Sequence, residues 1–268
     1  MTGEETLDPY NLETLQPQME RLGYHFQYTP QTPTTMRLAE EHAKIGGSLP
    51  AVFLTDHQTQ GIGREGRVWL DKPGASILVS QVGMIKSGIS PVYVDLVALF
   101  ASEVIKTQIK YPNDFVVDNE KVGGILVINI NHDGHYLATN TGIGINVHYT
   151  KNELADYPTD YGVTALDLHT PAANRREGLV LALMEGLKFV PIDAEVFIRN
   201  NQARQDWNNA WRAHSAVLQR MVRISSGDEI LVEGRVVDTQ ISRGVLVESP
   251  RERNWFNAFD TKMKVRVN

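Results

Sequence analysis

The chain has 268 residues, 42% hydrophobic and 22% charged, enough for one large domain or one and a half with a sizeable core. Its 26 Lys and Arg against 32 Asp and Glu leave a formal charge of −6, which disfavours non-specific nucleic-acid binding, since that needs surplus cations at the contact face. The lack of cysteine excludes disulfides, zinc–thiolate sites and thiol catalysis, and fits a reducing compartment. The first residues, MTGEETLDPYNLETL, carry neither the basic nor the apolar region of a secretory signal, and no apolar run approaches a membrane span. A cytoplasmic protein without a membrane partner is expected.

In chain order, Leu12 to Leu22 reads as a short helix and Tyr24 to Tyr28 as a strand. Thr32-Pro33-Thr34-Thr35 signals a helix start, Met36 to Lys44 the helix, and Gly46-Gly47 its end. Ala51 to Asp56 reads as a strand, as does the run near Ile77. From Pro91 to Lys106, apolar residues at 94, 97, 98, 101, 104 and 105 give a buried helical stripe. Phe115 to Val117 and Lys121 to Ile130 form a strand pair about Asp118-Asn119; after a turn at 131–134, His135 to His148 continues the sheet. Arg176 to Phe189 and Pro191 to Trp211 are helical. From Val217 the pattern alternates apolar and polar residues between glycine turns, which reads as a small all-β barrel. The expectation is an α+β chain: a mixed, largely antiparallel sheet with helices over 1–216, then a β module over 217–268.

Gly61 to Trp69, GIGREGRVW, concentrates the chemistry. Gly61, Gly63 and Gly66 satisfy G-x-G-x-x-G, but a dinucleotide loop leaves its strand directly and opens a helix. Here His57 to Gly61 intervene, and Lys72-Pro73-Gly74 leads into another strand. The segment is therefore a long glycine–arginine loop between strands. Its glycines allow close backbone approach to a ligand, and Arg64 and Arg67 offer forked donors for phosphate or carboxylate. A hairpin-like loop with solvated arginines fits the same residues. The second motif is Lys110-Tyr111-Pro112-Asn113-Asp114, followed by Lys121 and by Gly123-Gly124 inside a strand, a sign of a bulge or close backbone approach. A plain hairpin with a surface lysine also fits. The eight histidines show no metal-ligand spacing, and no serine lies in G-x-S-x-G.

Taken in order, GIGREGRVW, KYPND with Lys121 and Gly-Ile-Leu beyond it, TGIGINV at 141–147, and TTMRLA at 34–39 make the chain resemble the biotin–protein ligase family from about residue 24 onward. The resemblance implies a class II synthetase-like catalytic domain and an SH3-like C-terminal barrel. It implies two steps: biotin and ATP give biotinyl-5′-AMP, and biotin then passes to a lysine of a biotin carboxyl carrier domain. By resemblance Lys121 and Arg64 are catalytic. Thr34, Thr35, Met36, Gln58, Gly61, Ile62, Gly63, Lys121 and Gly124 bind biotin, and Arg64, Arg67, Trp69, Asn113 and Asn146 bind the nucleotide. Asp114 is the candidate for Mg²⁺. Residue types alone also allow Thr34 or Thr35 as a helix cap, Gln58 as a solvated loop residue, Gly124 as a structural glycine, Trp69 as core and Asn146 as a strand-end cap.

Three departures stand out: Ile62 where the family usually has arginine, Glu65 beside the phosphate arginines, and Tyr111 in place of tryptophan. Some relatives carry an N-terminal helix-turn-helix. The roughly 20 residues ahead of the first strand are too few for one, so a short form without nucleic-acid binding is expected, as a monomer or homodimer. The alternatives are lipoate–protein ligase, a non-catalytic biotin-binding regulator, and a nucleic-acid protein using the small barrel. The barrel lacks the aromatics and basic stripe for the last of these.

Overall fold

A computed structural model of the protein describes residues 10–132, 135–155, 157, 159, 161–170, 176–258 and 263–267. The acidic residues 1–9, Asp133-Gly134 of the turn at 131–134, and the side chain of His132 lie outside the described residues.

Helix α1 (Leu12–Arg21) starts where the Asn11 side chain accepts the Thr14 N–H. Strands β1 (His25–Tyr28) and β2 (Gln31–Thr32) lead to α2 (Thr35–Lys44), which ends before Gly46 at φ +76°. The fully buried β3 (Ala51–Thr55) precedes three two-residue strands: β4 (His57–Gln58), β5 (Gly61–Ile62) and β6 (Val68–Trp69). Next come β7 (Ser76–Lys86), α3 (Ser90–Ile105), β8 (Gln108–Lys110), β9 (Asp114–Val117), β10 (Glu120–His132) and β11 (Tyr136–Asn146). Asp118 and Asn119 both take left-handed φ, 50° and 66°, as a two-residue turn requires. Helices α4 (Lys151–Leu154), α5 (Arg176–Leu187), α6 (Val190–Arg199) and α7 (Asn201–His214) precede β12 (Met221–Ser226), β13 (Glu229–Gln240), β14 (Gly244–Glu248), β15 (Arg253–Phe256) and β16 (Met263–Val267). The single helix expected over Pro191 to Trp211 is two. Asn200 is extended (φ −117°, ψ 113°), and its side chain accepts the Ala203 N–H at 3.1 Å, starting α7 afresh.

The chain forms two compact units. The first comprises residues 1–87 and 117–186. Its strands run β1-β3-β7-β11-β10, parallel between β1 and β3 and antiparallel elsewhere. This is the mixed, largely antiparallel α+β arrangement the sequence implied. The β7–β11 ladder runs from Ser76–Asn146 to Lys86–Tyr136, which fixes the long strands in register. Helix α2 lies across β3, β7, β11 and β10, with Ala39 against Ala51, Phe53 and Val82. The sheet presents Val82, Ser80, Gly142 and Asn140 to this helix, and Asn140 bonds its first turn.

The second unit comprises 88–116 and 187–268. Helix α3 packs with α6, α7 and β8. Contrary to the sequence expectation, the run Ser87–Ile105 is long and apolar enough to cross a membrane. It is nonetheless a core helix: Leu96, Val97, Ala98, Ala101 and Ile105 are buried, and its buried Asp95 accepts the Ser242 N–H at 2.7 Å. The C-terminal strands form an antiparallel sheet in the order β15-β14-β13-β12-β16, with Val222, Ile224, Val236, Val245 and Val247 buried. The closed barrel expected there is not found among the described residues, where no ladder joins β15 to β16. The long β13 serves its partners in succession, residues 229–235 to β12 and 235–240 to β14, with a bulge between Val236 and Asp238. That shift turns the sheet, while the edge strands stay open.

Candidate active site

The site in the first unit begins at the start of α2. Thr34 is extended, and its side chain accepts the Met36 N–H at 3.4 Å, so its hydroxyl is an N-cap. Thr35 donates its backbone N–H to Gln58 Oε1 at 2.8 Å, and its hydroxyl lies 3.3 Å from the same oxygen and 2.8 Å from Ser80 Oγ. Thr34, Thr35 and Met36 are buried, an unusual place for two hydroxyls. Gln58 is half-buried and directed at the helix end, so it is no solvated loop residue. Met36 Sδ occupies the space where a Cβ on Gly142 would fall, 2.4 Å away, and Asn140 Nδ2 donates to the Met36 carbonyl at 2.7 Å.

The glycine–arginine segment is a hairpin rather than an open loop. Gly61 pairs with Trp69 and Ile62 with Val68, and Gly63 N–H donates to the Arg67 carbonyl at 2.8 Å. Glu65 (φ 59°) and Gly66 (φ 74°) make the left-handed tip. A Cβ on Gly61 would stand 2.6 Å from the Trp69 carbonyl and 3.2 Å from Gln58 Nε2, so the hairpin root tolerates only glycine beside Gln58. Ile62 and Val68 are exposed. Arg64 is half-buried, while Arg67 is exposed and pairs with Glu65 at 3.6 Å. The acidic departure thus lies against a phosphate-type arginine at an exposed ion pair worth little to stability.

Trp69, at the end of the hairpin, joins it to the sheet. A Cβ on Gly144 would fall 2.7 Å from Trp69 Cζ2 and 2.8 Å from Cε2, so the indole lies on bare backbone. Gly144 pairs across the ladder with buried Gly124, making a patch without side chains on adjacent strands. Lys121, at the head of β10, has its Nζ 5.8 Å from the Trp69 ring centroid. Its backbone is fixed on both sides: Lys121 N–H donates to the Gly162 carbonyl, and Thr164 N–H to the Lys121 carbonyl, each at 2.8 Å. Asn146 ends β11, its Nδ2 donating to the Thr164 carbonyl at 3.2 Å. Asn146 Oδ1, Asn140 Oδ1 and Trp69 Nε1 are buried and make no hydrogen bond among the described residues. Buried polar atoms are rarely left so, which makes these candidate ligand-facing groups.

Hydrogen bonds link Thr34, Thr35, Met36 and Gln58; Gly61 lies close beside Gln58 and pairs with Trp69, whose ring Lys121 approaches, with Gly124 on the strand of Lys121 and Asn146 on its ladder partner β11. Asn113 and Asp114 belong to the second unit, where both are half-buried and Asp114 opens β9. Among the described residues, no group of three or more His, Asp or Glu could hold a metal ion. Sequence reasoning missed Gly144 as the seat of Trp69, although glycines two apart at 142 and 144 lie on one strand face. It also missed Asp71. That carboxylate accepts His57 Nδ1 at 2.8 Å and the Gln58 N–H at 3.2 Å, and no motif signalled it. At the β3–β4 corner, Arg176 reaches Asp56 at 2.7 Å and lies over Tyr10 at 4.1 Å; Tyr28 also donates to Asp56.

Comparison with known proteins gives a concordant picture. Residues 28–146 match the "Biotin/lipoate A/B protein ligase family" model. The bifunctional ligase/repressor BirA of Bacillus subtilis is 28% identical over 147 residues, 51% of this chain and 45% of that protein. Human biotin–protein ligase is 30% identical over 155 residues, 52% of this chain and 21% of that protein. The match thus spans half or less of these curated relatives. Among solved structures, the biotin protein ligase from Aquifex aeolicus in complex with biotin and ATP has a TM-score of 0.69 at 19% identity, covering 91% of this chain and 99% of that one. A biotin protein ligase-like protein of unknown function from a Silicibacter species has a TM-score of 0.59 at 9% identity, covering 87% and 94%. These likenesses establish a shared fold. Over residues 28–146 this chain thus matches the model of the biotin/lipoate A/B protein ligase family, and it shares the fold of solved biotin protein ligases.

Proposed function

We propose that the protein is an ATP-dependent biotin–protein ligase. The biotin carboxylate attacks the α-phosphorus of ATP, forming biotinyl-5′-AMP and expelling pyrophosphate. A lysine amine on a biotin carboxyl carrier domain then attacks the mixed anhydride, biotin becomes an amide, and AMP leaves. The observation that carries this reading is the Lys121 amine 5.8 Å from the ring of Trp69, whose indole lies on the Gly144 backbone.

Two anions must meet in the first step, so a fixed cation at the junction lowers the repulsion and stabilises charge growing on phosphorus. Lys121 has that role, with Arg64 and Arg67 as phosphate ligands on the hairpin. Thr34, Thr35, Met36 and Gln58 form the biotin end, with Gly61, Ile62, Gly63 and Gly124 as the backbone that closes on it. The uncompensated Trp69 Nε1 and Asn146 Oδ1 supply polar contacts toward the adenylate, joined by Asn113. Mg²⁺ enters with the nucleotide, because it favours substrate phosphates and few carboxylates. Asp114 is its candidate protein ligand, and no step depends on it. The expected setting is cytoplasmic, as a monomer or homodimer without nucleic acid.

The test is to incubate the protein with ATP, Mg²⁺, biotin and a carboxyl carrier domain and to measure the acceptor by mass spectrometry. One biotin amide per acceptor is expected. No shift with biotin defeats the proposal, and a shift with lipoate alone assigns the chain to the other branch of the family.

A further inference from the structure

We propose that Asp71 is a positioning residue that sets Gln58, and through it the hydroxyl-bearing start of α2, for the ring of the acyl substrate. The inference rests on the proposed ligase function and adds a residue that neither the motifs nor the proposed mechanism includes.

Asp71 stands two residues beyond β6, and its side chain is 0% exposed. A carboxylate so placed is costly unless donors surround it. Burial pushes its carboxyl above the usual range, and the His57 and Gln58 hydrogen bonds oppose that shift. The two oxygens divide the work. Oδ1 accepts from His57 Nδ1 at 2.8 Å, and Oδ2 accepts the Gln58 backbone N–H at 3.2 Å. The bond to His57 holds whether the imidazole is charged or carries its neutral proton on Nδ1.

Both partners make up the whole of β4, a two-residue strand whose ladder runs to the two-residue β2, Gln31 to His57 and Thr32 to Gln58. So short a ladder gives little register of its own. From Gln58 the chain of bonds continues: Oε1 accepts the Thr35 N–H at 2.8 Å, and the Thr35 hydroxyl meets Ser80 Oγ at 2.8 Å. The carboxylate also ties the two feet of the glycine hairpin, since His57 precedes it and Asp71 follows it. Asparagine is a weaker substitute: it keeps one acceptor oxygen for the Gln58 N–H, and its amide meets His57 only if the imidazole moves its proton to Nε2.

The experiment measures biotin-dependent pyrophosphate release by the full chain and by Asp71→Asn. The expected result is a rise of about tenfold or more in KM for biotin, with kcat and KM for ATP within about twofold of the parent. His57→Ala, which leaves the Gln58 bond in place, raises KM for biotin in the same direction by less. Independently of catalysis, amide hydrogen exchange at Gln58 and Thr35 speeds up in Asp71→Asn while the β7–β11 ladder stays protected. An unchanged KM for biotin, or equal losses in kcat and both KM values, overturns the inference. If the parent protein itself releases no pyrophosphate, the ligase reading fails. The exchange result then stands alone: unchanged Gln58 and Thr35 amides refute the positioning role.

Discussion

Gly144→Ala tests whether Trp69 couples the hairpin to the sheet. The added methyl would sit 2.7 Å from Cζ2, 2.8 Å from Cε2 and 3.0 Å from Cη2 of the indole, where ordinary contact begins at 3.4 Å. The ring must therefore withdraw by about 0.7 Å or more, forfeiting contact with the strand on a steep dispersion potential. It cannot slide freely along its own strand, because Trp69 is locked in the hairpin opposite Gly61, whose absent Cβ already leaves no room beside the Trp69 carbonyl. Overpacking of this kind costs about 1–3 kcal/mol. We expect the unfolding free energy to fall by that amount, read as a lower urea midpoint at unchanged slope, with a shift in tryptophan emission as the half-buried Trp69 moves toward water. Trp69→Phe removes the atoms in conflict, so the double variant should be more stable than the sum of the two single losses by about 1 kcal/mol. Strict additivity, or a Gly144→Ala protein with parental stability and emission, refutes the stacking argument.

Lys121→Ala should unfold cooperatively near the parent's midpoint yet form adenylate on the order of 100- to 1,000-fold more slowly, measured as biotin-dependent pyrophosphate release. Tyr111→Phe removes a hydroxyl that accepts the Ala258 N–H at 2.8 Å and donates to Asn257 Oδ1 at 3.2 Å, and should cost about 1–2 kcal/mol in urea unfolding. Burial pushes the Asp95 carboxyl up to about 7, against the opposing Ser242 N–H. The folded protein therefore holds this proton where the unfolded chain has lost it. The contribution is complete below the ordinary carboxylate range and disappears as pH rises through about 7. Asp95→Asn keeps an acceptor for Ser242 and removes the titration, so its urea midpoint should fall less than the parent's between pH of about 5 and 8; equal falls would exclude the role of Asp95.

Regular elements were legible wherever a local signal existed. The Thr34 cap, the glycine stop after α2 and the Asp118-Asn119 turn all have chemistry that acts within a few residues; α3 formed as expected, but its burial spreads beyond the expected stripe, with Val94 and Val104 only half-buried and Val92, Tyr93, Leu96 and Leu99 buried. What escaped depends on contacts distant in sequence or on competing local choices. The hairpin inside 61–69 is visible only once Gly61 faces Trp69. The helix expected over 191–211 breaks because Asn200 satisfies the next helix better than it continues the last. The open C-terminal sheet follows from how β13 divides its partners, and alternation alone does not encode that. Within the site, Thr34, Thr35, Gln58 and Lys121 were found as motif positions. Asp71 and Gly144 were not, since one acts by burial of a charge and the other by the absence of a side chain beneath an aromatic ring 75 positions away.

The second unit draws residues 88–116 from the middle of the chain and completes itself with 187–268. Synthesis proceeds from the N-terminus at roughly 5–20 residues per second, so α3 leaves the ribosome on the order of 10 s before α7 and the strands that share its unit. During that interval the apolar helix lacks Ser242, whose N–H Asp95 accepts in the folded unit. The order of synthesis therefore leaves the most apolar helix of the chain waiting for the segments that complete its unit.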